Sequence, residues 1–229
     1  MRKIILMVFL IVFFSVSPAS AKEGTLTPSG IPYTELKNRV DEYASKYIGT
    51  STAGANVLIV KDGEIFISTS YGYADIENQI KITPDTVFEW GSVTKLLVWT
   101  SVMQLVEQGK LELNEDIRAY LPDGFLTKLQ YDTPITMLNL MHHDAGWEEK
   151  FTDLFYMSAA EVKPLEEMLH ITEPYQVHEP GAVVAYSNYG VALAGFIVEQ
   201  LTAQPFYDYI NAHIFSVFVM EDTSIHPTQ

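Results

Sequence analysis

Two short motifs carry side chains that can do chemistry together. Ser92-Val93-Thr94-Lys95 opens the stretch SVTKLLVWTSVMQLV, which runs to Val106 with Lys95 as its only charge. A helix that is apolar all round is a buried helix. An ammonium inside it is costly unless it is paired or gives up part of its charge. Three residues apart, Ser92 and Lys95 share one helical face. A serine hydroxyl beside a desolvated lysine is an activated nucleophile. At a helix start, Ser92 also presents its backbone N–H to a developing oxyanion. The second motif is Tyr186-Ser187-Asn188. A tyrosine near a cation gains phenolate character and can relay the serine proton. Asn188 supplies a donor and an acceptor suited to holding a substrate amide.

Each spacing has a structural reading as well. Ser-x-x-Lys fits a helix-start serine followed by a snorkelling lysine. Tyr-x-Asn recurs at Tyr209-Ile210-Asn211, inside an apolar helical pattern that makes Tyr209 a core residue. Tyr186 instead follows Pro180-Gly181 and precedes a helix, a loop setting where site residues concentrate. His142, His143 and Asp144 are candidate metal ligands, but adjacent histidines on a helix point in different directions. They are expected in a loop after a helix over residues 137–141, capped near Gly146. His170 and His178 are expected at the surface. Trp90, Trp99 and Trp147 are expected in the core or a pocket wall.

The elements around these motifs follow from periodicity and turn chemistry. Thr34 is placed to cap a helix with the stripe Leu36, Val40, Tyr43, Tyr47. Residues 56–61 and 64–70 read as two strands joined by Asp62-Gly63, a strong two-residue hairpin signal. Tyr71 to Asp75 is expected to leave the second strand. The serine helix is expected to end at Gly109, a C′ glycine. Residues 110–179 read as short helices and loops broken by Pro122, Pro134, Pro164 and Pro174. Residues 189–202 form a helical pattern through Val191, Ala194, Ile197, Val198 and Leu201. Pro205 opens another, through Phe206, Tyr209, Ile210, Ile214 and Val217.

Arg2 and Lys3, the apolar run 4–16 and Ala19-Ser20-Ala21 have the order of a signal peptide, assigned to residues 1–21. An uncleaved N-terminal anchor is the alternative, and only then would the membrane be a partner. Residues 22–32 read as a linker and 33–229 as the domain. The chain has no cysteine, which excludes disulfides and thiolate metal sites. A net charge of −15, more acidic still without Arg2 and Lys3, argues against nucleic acid and anionic membrane surfaces as partners.

Taken together the motifs are far more specific than their parts. Phe88 to Lys95 resembles the nucleophile segment of the serine β-lactamase and penicillin-binding-protein family, above all its class C β-lactamase-related branch. Gly109-Lys110-Leu111-Glu112-Leu113, Asp116-Ile117 and Tyr120-Leu121-Pro122 are similar to the segment that follows there. Ile135 to His143 resembles the family's I-T-…-L-L-x-H helix. Pro180-Gly181 with Tyr186 to Gly190 resembles its second active-site motif, and Met220 to Thr223 a later segment. The resemblance implies an α+β fold: an antiparallel sheet packed with helices plus a mainly helical subdomain. It implies Ser92 as nucleophile, Lys95 as its activator, Tyr186 as proton relay and Asn188 as the residue that orients the substrate amide. The reaction implied is acyl transfer through an acyl-serine, on β-lactams, D-alanyl peptides or esters, with no metal or organic cofactor and a secreted location.

The sequence departs from the family at several points. His143-Asp144-Ala145-Gly146 stands where His-Thr-Ser-Gly is usual, and Ala203 and Val219 where glycines are usual. No Lys-Thr-Gly occurs, and nothing after Asn188 matches the family's third motif. The expectation is therefore a C-terminally truncated member with its last strands missing. The alternative function is a catalytically impaired fragment, or a protein that binds penicillin or cell-wall peptide without turnover.

Overall fold

A computed structural model describes residues 26–151, 156 and 158–226. The signal-peptide assignment and residues 22–25 of the expected linker lie outside these. The chain forms two compact units, one reaching Val87 and the other starting at Phe88.

The first unit holds a helix, α1 (Tyr33–Ser45), and three strands, β1 (Gly54–Lys61), β2 (Glu64–Asp75) and β3 (Ile80–Lys81). They form an antiparallel sheet in the order β1-β2-β3. The hairpin pairs Lys61 with Glu64 and Gly54 with Gly72. Its turn residues Asp62 and Gly63 have φ of 54° and 82°, the pair of positive values that a two-residue turn needs to match strand twist. Three expectations need correction here. Tyr71 to Asp75 stays in β2, because the start of β1 pairs with it on one side and β3 and Ile82 on the other. Thr34 is not the cap: it lies inside α1, which begins at Tyr33 after Pro32 and has no side-chain cap. Nor does α1 bury its stripe, since no residue of it is buried. It is tied to the hairpin instead by the Tyr33 ring edge-on to Phe66, at 5.4 Å. The Tyr71 hydroxyl also donates to Asp41 at 2.5 Å.

The second unit is helical. It contains α2 (Lys95–Glu107), α3 (Met137–His142), α4 (Leu165–Thr172), α5 (Asn188–Thr202) and α6 (Phe206–Ile210). The last runs on into a turn of π-helix, Asn211–Phe215. Among the described residues no strand follows Lys81. Helix α5 lies at the centre, packed on α2, α3, α4 and α6. Leu193, Ala194, Phe196, Ile197 and Val198 are fully enclosed. They meet Val102 and Leu105 of α2, Met137 and Leu140 of α3, and Leu169 of α4 in one apolar cluster.

Helix α2 differs from its expectation in two ways. Residues Gly91–Thr94 form a turn of 3₁₀-helix, and the α-helix starts only at Lys95. It is also not buried all round. Leu97, Val98, Ser101, Val102 and Leu105 are buried, whereas Val93, Leu96 and Met103 are exposed. Apolar composition marks side chains suited to burial; α5, together with α6 and the turn that follows it, covers only a stripe of them. Likewise Ile210 and Ile214 are buried after Pro205, but Val217 is exposed. The expected end at Gly109 holds: its φ is 67°, and Gly109 and Lys110 donate back to Val106 and Leu105, as in a Schellman cap.

Candidate functional site

The site is built where the start of α2, the start of α5 and the loop after α3 converge. Helix α3 is fixed first. Thr136 caps it, accepting from the Asn139 N–H at 3.3 Å, while the Asn139 side chain accepts from the Thr136 N–H at 2.9 Å. This reciprocal capping box satisfies two donors that the helix leaves open. The helix then ends at His143, in the left-handed region at φ 58°, and not near Gly146 as the sequence suggested. Gly146 turns the chain next, at φ 89°, so close to the following layer that a Cβ there would lie 1.9 Å from the His178 carbonyl oxygen. The loop is zipped onto residues 177–185. Val177 and His178 donate to the Gly146 carbonyl, Gly181 to Asp144 and Ala185 to His143.

That zipper delivers Tyr186 and Asn188. Ser187 is the N-cap of α5, its hydroxyl accepting from the Gly190 N–H at 3.0 Å. Asn188 is the first residue of the helix, and Tyr186 precedes the cap. The Tyr186 ring lies against the His143 ring, centroids 4.5 Å apart. His143 Nδ1 accepts the Ser187 N–H at 3.2 Å, which requires that nitrogen to be unprotonated. Burial and then the charge of Lys95 lower the histidine's pKa, in keeping with that role.

All four residues singled out in the sequence meet here. Ser92 Oγ lies 2.8 Å from Tyr186 Oη. Lys95 Nζ donates to Ser92 Oγ at 3.2 Å and to Asn188 Oδ1 at 2.7 Å. The same ammonium sits 4.8 Å from the centre of the Tyr186 ring. Lys95 is thus half-buried and paired, not stranded in an apolar helix. Burial alone would raise the Tyr186 phenol. Hydrogen bonds with Lys95 and Ser92, and the lysine's charge, outweigh it and bring the phenol below its ordinary value.

Two residues at the site were not picked out as such from the sequence. From the sequence His143 is read as a candidate metal ligand and as part of the family's I-T-…-L-L-x-H segment, with no role in the site, and Glu149 is not singled out. Glu149 accepts the Asn188 backbone N–H at 2.8 Å and its side-chain Nδ2 at 2.6 Å. Glu149 carries no local signal, and the one at His143 is the L-L-x-H pattern; both act through the fold of the loop after α3. Tyr209, the other Tyr-x-Asn tyrosine, is a core residue, 2% exposed. Among the described residues no group of His, Asp and Glu is placed to hold a metal ion.

The fold is of the β-lactamase and transpeptidase kind. The Beta-lactamase family profile matches residues 38–229, and the chain belongs to that family. It is 27% identical to Protein flp of Staphylococcus aureus over 76% of its own length and 35% of that protein's. It is 28% identical to the N-acetylmuramyl-L-alanine amidase of Bacillus subtilis, over 86% of this chain and 48% of that one. Its fold superposes on the D-amino acid amidase of Ochrobactrum anthropi with a TM-score of 0.70 and 26% identity. That match covers 85% of this chain and 53% of the amidase. The chain therefore spans about a third to a half of the length of these relatives.

Proposed function

We propose that the chain is a secreted serine hydrolase that transfers acyl groups through Ser92, on substrates of the β-lactam, D-alanyl peptide or ester class. The observation that carries this reading is the position of Ser92 Oγ, held between Tyr186 Oη and Lys95 Nζ. Ser92 Oγ attacks the acyl carbonyl, and its proton passes to the Tyr186 phenolate, which Lys95 stabilises. Collapse of the tetrahedral intermediate expels the amine or alcohol, which leaves with the proton from Tyr186. Water repeats the sequence: its proton goes to Tyr186, its oxygen bonds to the acyl carbon, and Ser92 leaves reprotonated. Asn188 orients the substrate amide. Its oxygen faces Lys95, and one of its two Nδ2 hydrogens goes to Glu149, so the other is the one available to a substrate carbonyl.

Two relatives support amides as the bond cleaved, since both are named as amidases. Secretion rests on the signal-peptide pattern of residues 1–21; no described helix is long and apolar enough to cross a membrane. The test is turnover of three reporters by wild type and Ser92→Ala: a chromogenic cephalosporin, a D-alanyl anilide and a nitrophenyl ester. The expected result is Ser92-dependent hydrolysis of at least one. A stable Ser92 adduct without turnover would support penicillin or peptide binding instead, and equal turnover by the variant would remove Ser92 from the chemistry.

A further inference from the structure

A side-chain amide is nearly symmetric in shape, so its partners decide which end is oxygen and which is nitrogen. At Asn188 the decision matters. With the oxygen toward Lys95, the amide accepts from the ammonium at 2.7 Å. Turned over, it would present an NH₂ to an ammonium and lose that bond. Lys95 by itself favours the first orientation, and Glu149 secures it from the other side. One oxygen of its carboxylate accepts Nδ2 at 2.6 Å, and the other accepts the Asn188 backbone N–H at 2.8 Å. The second bond satisfies a donor that the first turn of α5 leaves open, and it places negative charge at a helix start, where it is favoured. Flipping Asn188 would then set its carbonyl against a carboxylate and its NH₂ against an ammonium at once.

We propose that Glu149 is a positioning residue of the acyl-transfer site, locking Asn188 so that its oxygen holds Lys95 beside Ser92 and Tyr186. This rests on Ser92 being the nucleophile. Glu149 touches neither Ser92 nor Tyr186 through a hydrogen bond, and it acts through Asn188. Its charge reaches further. Among the groups around the Tyr186 phenol, Lys95 and Ser92 lower its pKa while Glu149 raises it, and the neighbouring ring is His143.

Glu149→Gln keeps the length of the side chain but turns one acceptor into a donor aimed at a donor. The experiment is the rate of Ser92 acylation by a fluorophosphonate, followed by intact mass across pH. Losing one charge-assisted hydrogen bond slows acylation about tenfold to a hundredfold. The rising limb of the pH profile moves to lower pH, because the carboxylate that opposes phenolate formation is gone; a residue that only supported the loop would not move it. In an Asn188→Ala background the same change is expected to cost less than about threefold. A wild-type chain that is acylated at Ser92, with a Glu149→Gln variant of unchanged rate and pH limb, overturns the proposal alone. So does an equal loss in both backgrounds. No acylation of the wild type at Ser92 overturns the acyl-transfer reading itself, and the proposal with it. Independently of the variant's folding, the wild-type Asn188 side-chain NH₂ must show one proton resonance well downfield, as expected of a donor to a carboxylate. A pair at the free-amide position overturns the lock.

Discussion

Tyr186→Phe separates the chemistry of the site from its architecture. The change removes one oxygen and keeps the ring. The ring's contacts, 4.5 Å to His143 and 4.8 Å to Lys95 Nζ, do not involve the hydroxyl. What is lost is the hydroxyl's hydrogen bonding with Ser92 Oγ, at 2.8 Å, and with Lys95. Tyr186 is 46% exposed, so water replaces that bond and the stability cost stays below about 1 kcal/mol. For a domain of this size that is a fall in Tm of roughly 2–4 °C. The catalytic loss is much larger. A positioned general base contributes about 10²–10⁴ in rate, or roughly 3–5 kcal/mol of barrier. The assay pairs the time course of fluorophosphonate adduct formation with a thermal melt of the same sample. The wild-type profile should rise with pH, because acylation uses the phenolate, and its rising limb should lie below the ordinary phenol value of 10.0. The variant should lack that limb. Acylation within threefold of wild type, or a limb unchanged in Tyr186→Phe, would refute the assignment of Tyr186 as the relay.

Changes at three further positions test how the second unit is held together. Gly146→Ala should destabilise by about 3 kcal/mol or more, because its Cβ meets the His178 carbonyl at 1.9 Å and its φ is 89°; a denaturant midpoint near wild type would contradict this. Glu173 is 2% exposed, and its carboxylate accepts from the Thr127 N–H and hydroxyl at 2.6 Å each and from the Lys128 N–H at 2.9 Å. Glu173→Ala should cost about 3 kcal/mol or more by leaving these donors without an acceptor, and Glu173→Gln should cost less; equilibrium unfolding checks both. Val219 is 72% exposed and sits at φ 55°, a left-handed conformation that costs a β-branched residue about 1–2 kcal/mol. Val219→Gly should therefore stabilise by about 1 kcal/mol, seen as a raised Tm, and a lowered Tm would show that its side chain contributes packing.

The site was legible in the sequence to the extent that its chemistry is local. Ser92 and Lys95 lie one helical turn apart, and any helix start there brings them together. Tyr186 and Asn188 were legible because Pro180-Gly181 and the apolar run after Asn188 mark a loop feeding a helix. Glu149 was not, since its partner lies 39 residues away and nothing distinguishes it from Glu148 beside it. His143 was noticed for the wrong chemistry. Its use as a stacking ring and acceptor depends on α3 ending at His143 itself, in the left-handed region, whereas the sequence placed the cap near Gly146. The hairpin was readable from Asp62-Gly63 alone. The length of β2 was not, because Tyr71 to Asp75 stays extended through pairing with the start of β1 on one side and with β3 and Ile82 on the other. Ala203 and Val219 show the reverse case. Both stand where glycine is usual in the family, and both adopt the left-handed backbone that explains the preference, with φ of 55°.

The central claim is that Ser92 is a live nucleophile. Its most direct test is the intact mass of the protein after exposure to a fluorophosphonate and, separately, to a penicillin, with Ser92→Ala alongside. The expected result is a single adduct with at least one reagent, mapped to Ser92 and absent from the variant. No adduct with either reagent on a cooperatively folded sample, or the same adduct on Ser92→Ala, would contradict it.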